Sequence, residues 1–143
     1  MLAPPPVAHA DTFVVDTTTD SNAAAYQQCT AAADDCSLRG TISKANALAG
    51  ADTITLPAGT YALTRAGAPE DANATGDLDL TSDITLNGAG ASSTIIDANQ
   101  LDRVLQVFSG STVTLDGVTL RNGKSPNADP YVRGPRLQRR RGV

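Results

Sequence analysis

The chain has 143 residues, a formal net charge of −4, 41 % hydrophobic residues, 3 % aromatic residues and no Trp. This length suits one domain, and no stretch is apolar enough over about 20 residues to be a membrane-spanning helix. A core of aliphatic side chains with so few rings favours thin, repeated layers.

Charge divides the chain into two parts. Up to Gly123, 14 acidic residues stand against five basic ones, giving −9, and from Lys124 six basic residues stand against one acidic residue, giving +5. The basic part lacks any hydrophobic alternation, and we interpret residues 124–143 as a disordered tail that is read out of frame or truncated. The alternative is a basic arm for nucleic acid or anionic surfaces. We expect no nucleic-acid partner.

Residues 1–10 precede the first predicted strand. Their end, Ala8-His9-Ala10 followed by Asp11, is typical of a small-x-small cleavage site, although the basic and apolar regions of a full secretory signal are missing. We interpret residues 1–10 as the remnant of a signal peptide, with an upstream signal ahead of a misplaced start. The alternative is an ordinary disordered N-terminus.

Residues 11–50 are predicted to form an N-terminal cap. Asp11–Asp16 is typical of a strand, and Thr17–Asp35 is typical of a loop with a turn of helix. Ser37–Leu48 is predicted to be a helix that begins at an N-cap serine and stops near Gly50. The residues expected on its apolar face are Leu38, Ile42, Ala45 and Ala49.

Cys29 and Cys36 are the only two cysteines. In a chain that looks exported, an even pair predicts a disulfide that closes a small loop. Two ligands are too few for a structural zinc site, which takes four. The alternative is a pair of free, buried thiols.

Residues 51–123 contain one sequence motif three times, about 30 residues apart: residues 52–59, 83–90 and 112–119. Each copy is a short alternating strand followed by a turn of small residues, which predicts stacked repeats. We expect an all-β, right-handed parallel β-helix with three strands per coil. The predicted strands are Thr53–Leu56, Thr60–Thr64, Leu78–Leu80, Ile84–Leu86, Thr94–Ile96, Val104–Val107, Thr112–Leu115 and Val118–Arg121.

Alternation assigns the side chains of these strands to two faces. The inward set is Ile54, Leu56, Leu78, Leu80, Ile84, Leu86, Val113, Leu115, Val118 and Leu120. The outward set is Thr53, Thr55, Asp79, Thr85, Thr114 and Thr119.

Residues 36–46, Cys-Ser-Leu-Arg-Gly-Thr-Ile-Ser-Lys-Ala-Asn, resemble the signature of the CSLREA domain. Residues 51–61, 70–80 and 101–104 resemble later segments of the same family, in the same order. The sequence departs at Gly40-Thr41, where the family has Glu-Ala, and these two residues weaken the predicted helix. The resemblance implies an N-terminal cap on a right-handed β-helix and a secreted or cell-surface location, and it does not imply a known catalytic activity.

The acidic segment 71–79 is the best candidate for a cofactor site. Asp71, Asn73, Thr75, Asp77 and Asp79 supply oxygen atoms at positions 1, 3, 5, 7 and 9 of a calcium-type loop, with Gly at position 6. Ser82 stands at position 12 in place of the bidentate Glu, which rules out a full EF-hand. Calcium is therefore one hypothesis, and a solvated acidic turn is the other.

We predict no catalytic residue. The single histidine, His9, lies in the segment expected to be removed, which excludes nucleophilic schemes that need an imidazole base. The alternative function is a fragment of a β-helix polysaccharide lyase or hydrolase whose site lies on further coils. Its only candidates here are Asp97, Asp102, Arg103, Asp116 and Arg121, whose simpler role is in turns and ion pairs.

The sequence therefore predicts the cap and first coils of an exported bacterial repeat protein with a structural or adhesive role at the cell surface. Glycans or cell-surface proteins are the expected partners. The open end of the stack is expected to self-associate, because it presents unpaired strand edges.

Overall fold

The computed structural model describes residues 2–5, 7–67 and 70–125. Within them lie one α-helix, one 3-10 helix and nine strands. The strands are β1 Thr12–Val14, β2 Asp52–Leu56, β3 Gly59–Ala62, β4 Leu78–Leu80, β5 Ile84–Gly88, β6 Thr94–Asp97, β7 Leu105–Val107, β8 Val113–Asp116 and β9 Thr119–Arg121. The helices are the 3-10 helix Ala24–Tyr26 and α1 Leu38–Ala47.

The strands form three parallel sheets. The first sheet has the order β1-β2-β5-β8, the second β3-β6-β9 and the third β4-β7. From β2 to β9 the chain visits the three sheets in turn, so that each strand pairs with the strand three elements later. The fold is thus predominantly β with parallel strands, as predicted. Each of the eight predicted repeat strands is present, with its ends shifted by at most two residues.

The repeated motif falls in register in the first sheet. Ile54 pairs with Leu86, which pairs with Leu115. The outward row runs from Thr12 through Thr53 and Thr85 to Thr114. Because side chains alternate between the faces of a strand, one fixed register aligns the aliphatic residues of β2, β5 and β8 on one side.

The core lies between the sheets and beneath α1. Its fully buried side chains include Ile54, Leu56, Leu78, Leu80, Ile84, Leu86 and Ile96. Val113 and Val118 are only partly buried, and Leu115 and Leu120 remain 40 % and 36 % exposed. The inward assignment is therefore confirmed for the earlier strands, whereas β8 and β9 have no described strand on their outer edges to cover them.

Asp79 is a correction to the predicted outward set. It does point away from Leu78 and Leu80, but it is fully buried. The reason is that the third sheet is covered: α1 contacts β4, and Asn46 of α1 donates a hydrogen bond to the main-chain oxygen of Asp79 at 2.7 Å. Alternation assigned the face correctly but could not show that another element packs there.

The helix begins as predicted, with the Oγ of Ser37 accepting a hydrogen bond from the backbone N–H of Gly40 at 2.9 Å. It ends at Ala47, so that Ala49 lies beyond the helix and is exposed rather than on its buried face. Gly40 has a positive role here, because a Cβ at this position would collide with the main-chain carbonyl of Tyr26. The Gly that weakens the helix in isolation lets it pack against the 3-10 helix.

Cys29 and Cys36 form a disulfide, which confirms the predicted pairing. It joins the loop after the 3-10 helix to the residue before the helix N-cap. No helix in the described ranges has both the length and the apolar character needed to cross a bilayer. The predicted basic tail lies, apart from Lys124 and Ser125, outside the described residues.

Candidate functional site

The acidic loop, residues 70–79, folds back onto α1 and leads into β4. Asn73 and Asp77 are each 1 % exposed and Asp79 is fully buried. The hypothesis of a solvated acidic turn is therefore wrong for these three residues. Their burial is informative because carboxylates are rarely fully buried without a partner.

Asn73 and Asp79 hold the acidic loop closed through each other. The backbone N–H of Asn73 donates to Oδ2 of Asp79 at 2.8 Å, and the backbone N–H of Asp79 donates to Oδ1 of Asn73 at 3.2 Å. The Asn73 amide also donates to the main-chain oxygen of Arg39 and to Oγ of Ser43, both at 2.9 Å. Asn73 has a φ of 58°, a left-handed conformation that Asn tolerates better than most residues.

Arg39 joins the acidic loop to the cap. Its guanidinium is fully buried, and Nε donates to Oδ1 of Asp20 at 2.6 Å. Nη1 donates to the main-chain oxygen of Asp77 at 3.0 Å and Nη2 to that of Gly76 at 2.7 Å. The other carboxylate oxygen of Asp20 accepts from the backbone N–H of Thr64 at 2.7 Å. The buried Arg39–Asp20 ion pair thus connects four separate segments.

Asp77 and Arg103 form the next ion pair outward. Nε of Arg103 lies 2.8 Å from Oδ2 of Asp77 and 4.0 Å from Oδ1 of Asp102. Burial, followed by the Asp102 carboxylate, raises the pKa of Asp77 above its usual value although Arg103 opposes the shift. Arg103 also donates to Oε1 of Gln106 at 2.5 Å, which fixes its guanidinium over β7.

The carboxyl of Asp79 is the most perturbed acid in the loop. Burial, assisted by the negative charges of Asp77, Glu70 and Asp71, raises its pKa to about 6, against a lowering effect of the Asn73 N–H. Its Oδ1 atom is buried and has no hydrogen-bond partner among the described residues. A protonated carboxyl is therefore favoured here far more than in an exposed Asp.

Glu70 behaves in the opposite way. Burial acts to raise its pKa, but the backbone N–H groups of Thr75, Ala72 and Ala74 bind its carboxylate and hold the pKa below the usual value. Glu70 is thus the acid that stays ionised and shapes the turn. The loop therefore contains two different carboxyl groups. Glu70 accepts hydrogen bonds from three N–H groups, whereas Asp79 has one oxygen without a partner.

Three of the five predicted calcium ligands have side-chain oxygen atoms bound to protein groups in this structure. Asn73, Asp77 and Asp79 are engaged as described above, whereas Asp71 is exposed. No three acidic, His or Cys side chains within residues 2–5, 7–67 and 70–125 are grouped so that they could hold a metal ion. The calcium hypothesis stays a prediction without support from this geometry.

The residues considered for glycoside chemistry are dispersed into local contacts. Nε of Arg121 lies 2.8 Å from Oδ2 of Asp97, and Asn122 donates to both oxygens of the same carboxylate at 3.0 and 3.1 Å. The Asn99 N–H and then Arg121 keep the pKa of Asp97 below its usual value. Asp116 lies apart on β8 and is exposed. These partners are the turn contacts and ion pairs of the simpler prediction.

The first sheet carries a polar groove of about 360 Å³ at the start of its strands. Its lining comes from three neighbouring strands and the residues before them: Ala51, Asp52, Thr53, Asp83, Ile84, Thr85, Thr112 and Thr114. Asp83 is exposed, and its Oδ1 accepts a hydrogen bond from the Thr112 N–H at 2.7 Å. Threonine hydroxyls and the exposed Asp83 carboxylate thus line one groove at the spacing of adjacent strands, whereas the Asp52 carboxylate beside them is buried.

Comparison with protein-family models, curated proteins and solved structures found no match. The site is therefore interpreted from its own geometry.

Replacing Arg39 by Lys should destabilise the fold strongly. Lys keeps the charge but lacks the planar guanidinium fork that reaches Asp20, Gly76 and Asp77 together, and each buried acceptor left without a donor costs about 1–3 kcal/mol. Urea unfolding followed by circular dichroism measures the loss. Arg65→Lys is the matched control, because Arg65 is exposed and its Nε makes one bond, to the main-chain oxygen of Ala74. Equal stability losses in the two variants would contradict the assigned role of Arg39.

Asp79 should make the protein more stable in mild acid. Its folded-state pKa of about 6 exceeds the ordinary 3.8, so the folded chain binds more protons between these values. The contribution of Asp79 to the free energy of unfolding is complete below about pH 4 and is lost as the pH rises through about 6.

Acids with lowered pKa values, such as Glu70 and Asp97, also change the stability with pH, but they do so in both variants. The difference in melting temperature between the wild type and Asp79→Asn therefore reports the contribution of Asp79 alone. We expect the wild type to lose stability relative to Asp79→Asn as the pH rises from about 4 to about 6. Asp116→Asn, which removes an exposed carboxyl, should show no such trend. A flat difference curve for Asp79→Asn would rule out the assignment.

Proposed function

We propose that this chain is the N-terminal cap and the first coils of an exported, right-handed parallel β-helix with a structural and adhesive role at the cell surface. The observation that carries the proposal is the cyclic visit to three parallel sheets, with every pairing one round apart. A coil of three strands is the simplest path that produces this order. Right-handed winding follows from the strong preference of parallel crossovers for that hand, in about 98 % of cases.

The two ends of the stack differ in a way that supports a cap. At one end, α1 covers β2 and β4 with Leu38, Ile42 and Ala45 buried. At the other, β7, β8 and β9 present Val107, Leu115 and Leu120 at 36–43 % exposure. Because the register already runs unbroken from β2 to β8, the occupant that fits this edge is a further coil of the same repeat.

A disulfide supports export of the protein. Cys29–Cys36 is formed, and such bonds persist in oxidising compartments outside the cytosol. The small-x-small residues before Asp11 point in the same direction. An extracellular or cell-surface location is therefore part of the proposal.

The adhesive part of the proposal rests on the groove of the first sheet. Its threonine hydroxyls and the exposed carboxylate of Asp83 can donate to and accept from the hydroxyls of an extended glycan. Added coils would lengthen the same row, so that weak contacts per coil add up along one polymer. No contact among the described residues favours the lyase or hydrolase alternative, because Asp97 and Asp102 are engaged with neighbouring groups.

Binding to a polysaccharide array, with the protein displayed in many copies on beads, tests the adhesive role. We expect saturable binding to one class of polymer, weakened at least several-fold in the double variant Thr85→Val, Thr114→Val, which removes two hydroxyls and keeps the side-chain shape. Thr60→Val is the matched control, because Thr60 is exposed on β3 of the second sheet. Binding that Thr60→Val weakens equally, or no binding to any polymer, would contradict the proposed glycan-binding face.

A further inference from the structure

We propose that Asp52 is a built-in receptor for a new N-terminus, formed when the peptide bond between Ala10 and Asp11 is hydrolysed. The cleavage rests on the proposed export of the protein, whereas the receptor can be tested without it. The carboxylate of Asp52 is buried, and only one of its two oxygens accepts a hydrogen bond.

Asp52 is only 1 % exposed, and it lies on the inward side of β2 together with Ile54 and Leu56. Its Oδ1 accepts one hydrogen bond, from the backbone N–H of Asp11 at 2.9 Å. Its Oδ2 is buried and has no partner, and Asp52 makes no ion pair within the described residues. A buried carboxylate in this state is costly, and a cation at the position of the Asp11 nitrogen would relieve it.

The chain passes from exposed, irregular backbone to a paired strand at Asp11. Ala8, His9 and Ala10 are exposed and outside regular structure, and the described hydrogen bonds of residues 2–5 and 7–10 amount to one, from the His9 N–H to the Ala49 oxygen at 3.1 Å. From Asp11 onward the backbone is fixed, since Thr53 N–H donates to the Asp11 oxygen at 2.8 Å and β1 follows. The segment that precedes the bond is therefore exposed to a peptidase, and cleavage after Ala10 leaves β1 intact.

Cleavage supplies the missing cation. Water adds across the amide, the C–N bond breaks, Ala10 retains a carboxylate, and the Asp11 nitrogen becomes an amine that takes up a proton near neutral pH. The α-ammonium offers three donors in place of one N–H and carries the opposite charge to Asp52. The ammonium then has donors for both carboxylate oxygens of Asp52. The enzyme required is a peptidase of exported proteins that accepts small residues on the side of Ala8 and Ala10.

The pair has a defined pH signature. The carboxylate of Asp52 should raise the folded-state pKa of the Asp11 α-amine above the ordinary value of about 8. The resulting stabilisation is then complete below that ordinary value and is lost as the pH rises through the raised one. The other charged groups nearby are the carboxyls of Asp11 and Asp83, His9, which leaves with the cleaved segment, and Lys44, which stands over the ring of Phe13.

The test compares the full chain with a form whose first residue is Asp11, released from a fusion by a protease that leaves no extra residue. The rate of acetylation of the Asp11 amine against pH, followed by mass spectrometry, gives its pKa. We expect a pKa above about 8 and a higher melting temperature for the shortened form at neutral pH than for the full chain. Both effects should vanish in Asp52→Asn.

Asp83→Asn is the matched control, because Asp83 binds the backbone N–H of Thr112 in the same manner but is exposed. It should leave the amine pKa and the gain in melting temperature unchanged. If Asp52→Asn fails to fold, the acetylation profile of the wild-type shortened form still decides. An ordinary amine pKa in that form would overturn the receptor.

Export is tested separately. The basic and apolar regions of a bacterial leader, without its own cleavage site, are placed ahead of Leu2, and the N-terminus of the secreted protein is read by mass spectrometry. A start at Asp11 supports the proposal, and a start at any other residue overturns the cleavage site. Failure of secretion together with a raised amine pKa would refute export and leave the receptor standing.

Discussion

Parallel pairing over a long stretch of chain is the constraint on which the structure depends. A parallel pair cannot be closed by a tight turn, so each strand must leave its sheet, pass through the other two and return beside its predecessor. Neighbouring strands in a sheet can pack on a common core only if their apolar side chains lie on the same face of that sheet. The rows Ile54–Leu86–Leu115 and Thr53–Thr85–Thr114 show that they do, since one row is aliphatic and the other is hydroxyl-bearing.

Helix α1 is attached to the sheets by a different interaction. It packs against β2 and β4 with Ile42 and Ala45 fully buried. Its attachment relies on Arg39, whose donors reach across to Asp20 and to the backbone of Gly76 and Asp77. A buried guanidinium is tolerated only when its donors are engaged, so the acidic loop and the cap must form together.

Local patterns made much of the fold predictable. Alternation located the strands, Ser37 marked the start of the helix, and the even cysteine pair gave the disulfide. The candidate site was located only as a segment, since the partners of Arg39 and Asp52 lie 19 to 41 residues away and no local pattern records them. Asp79 shows the same limit: a solvent-facing position by alternation becomes buried because a distant helix covers it.

Methyl groups report most directly on the central claim that successive rounds stack in parallel and in register. In protein labelled at the Ile, Leu and Val methyls, nuclear Overhauser contacts should join Ile54 to Leu86 and Leu86 to Leu115, because these residues are paired one round apart. Backbone contacts between the same strands should show the pattern of parallel neighbours. Close Hα–Hα contacts typical of antiparallel pairs between β2 and β5, or the absence of the Leu86 to Leu115 contact, would contradict the account.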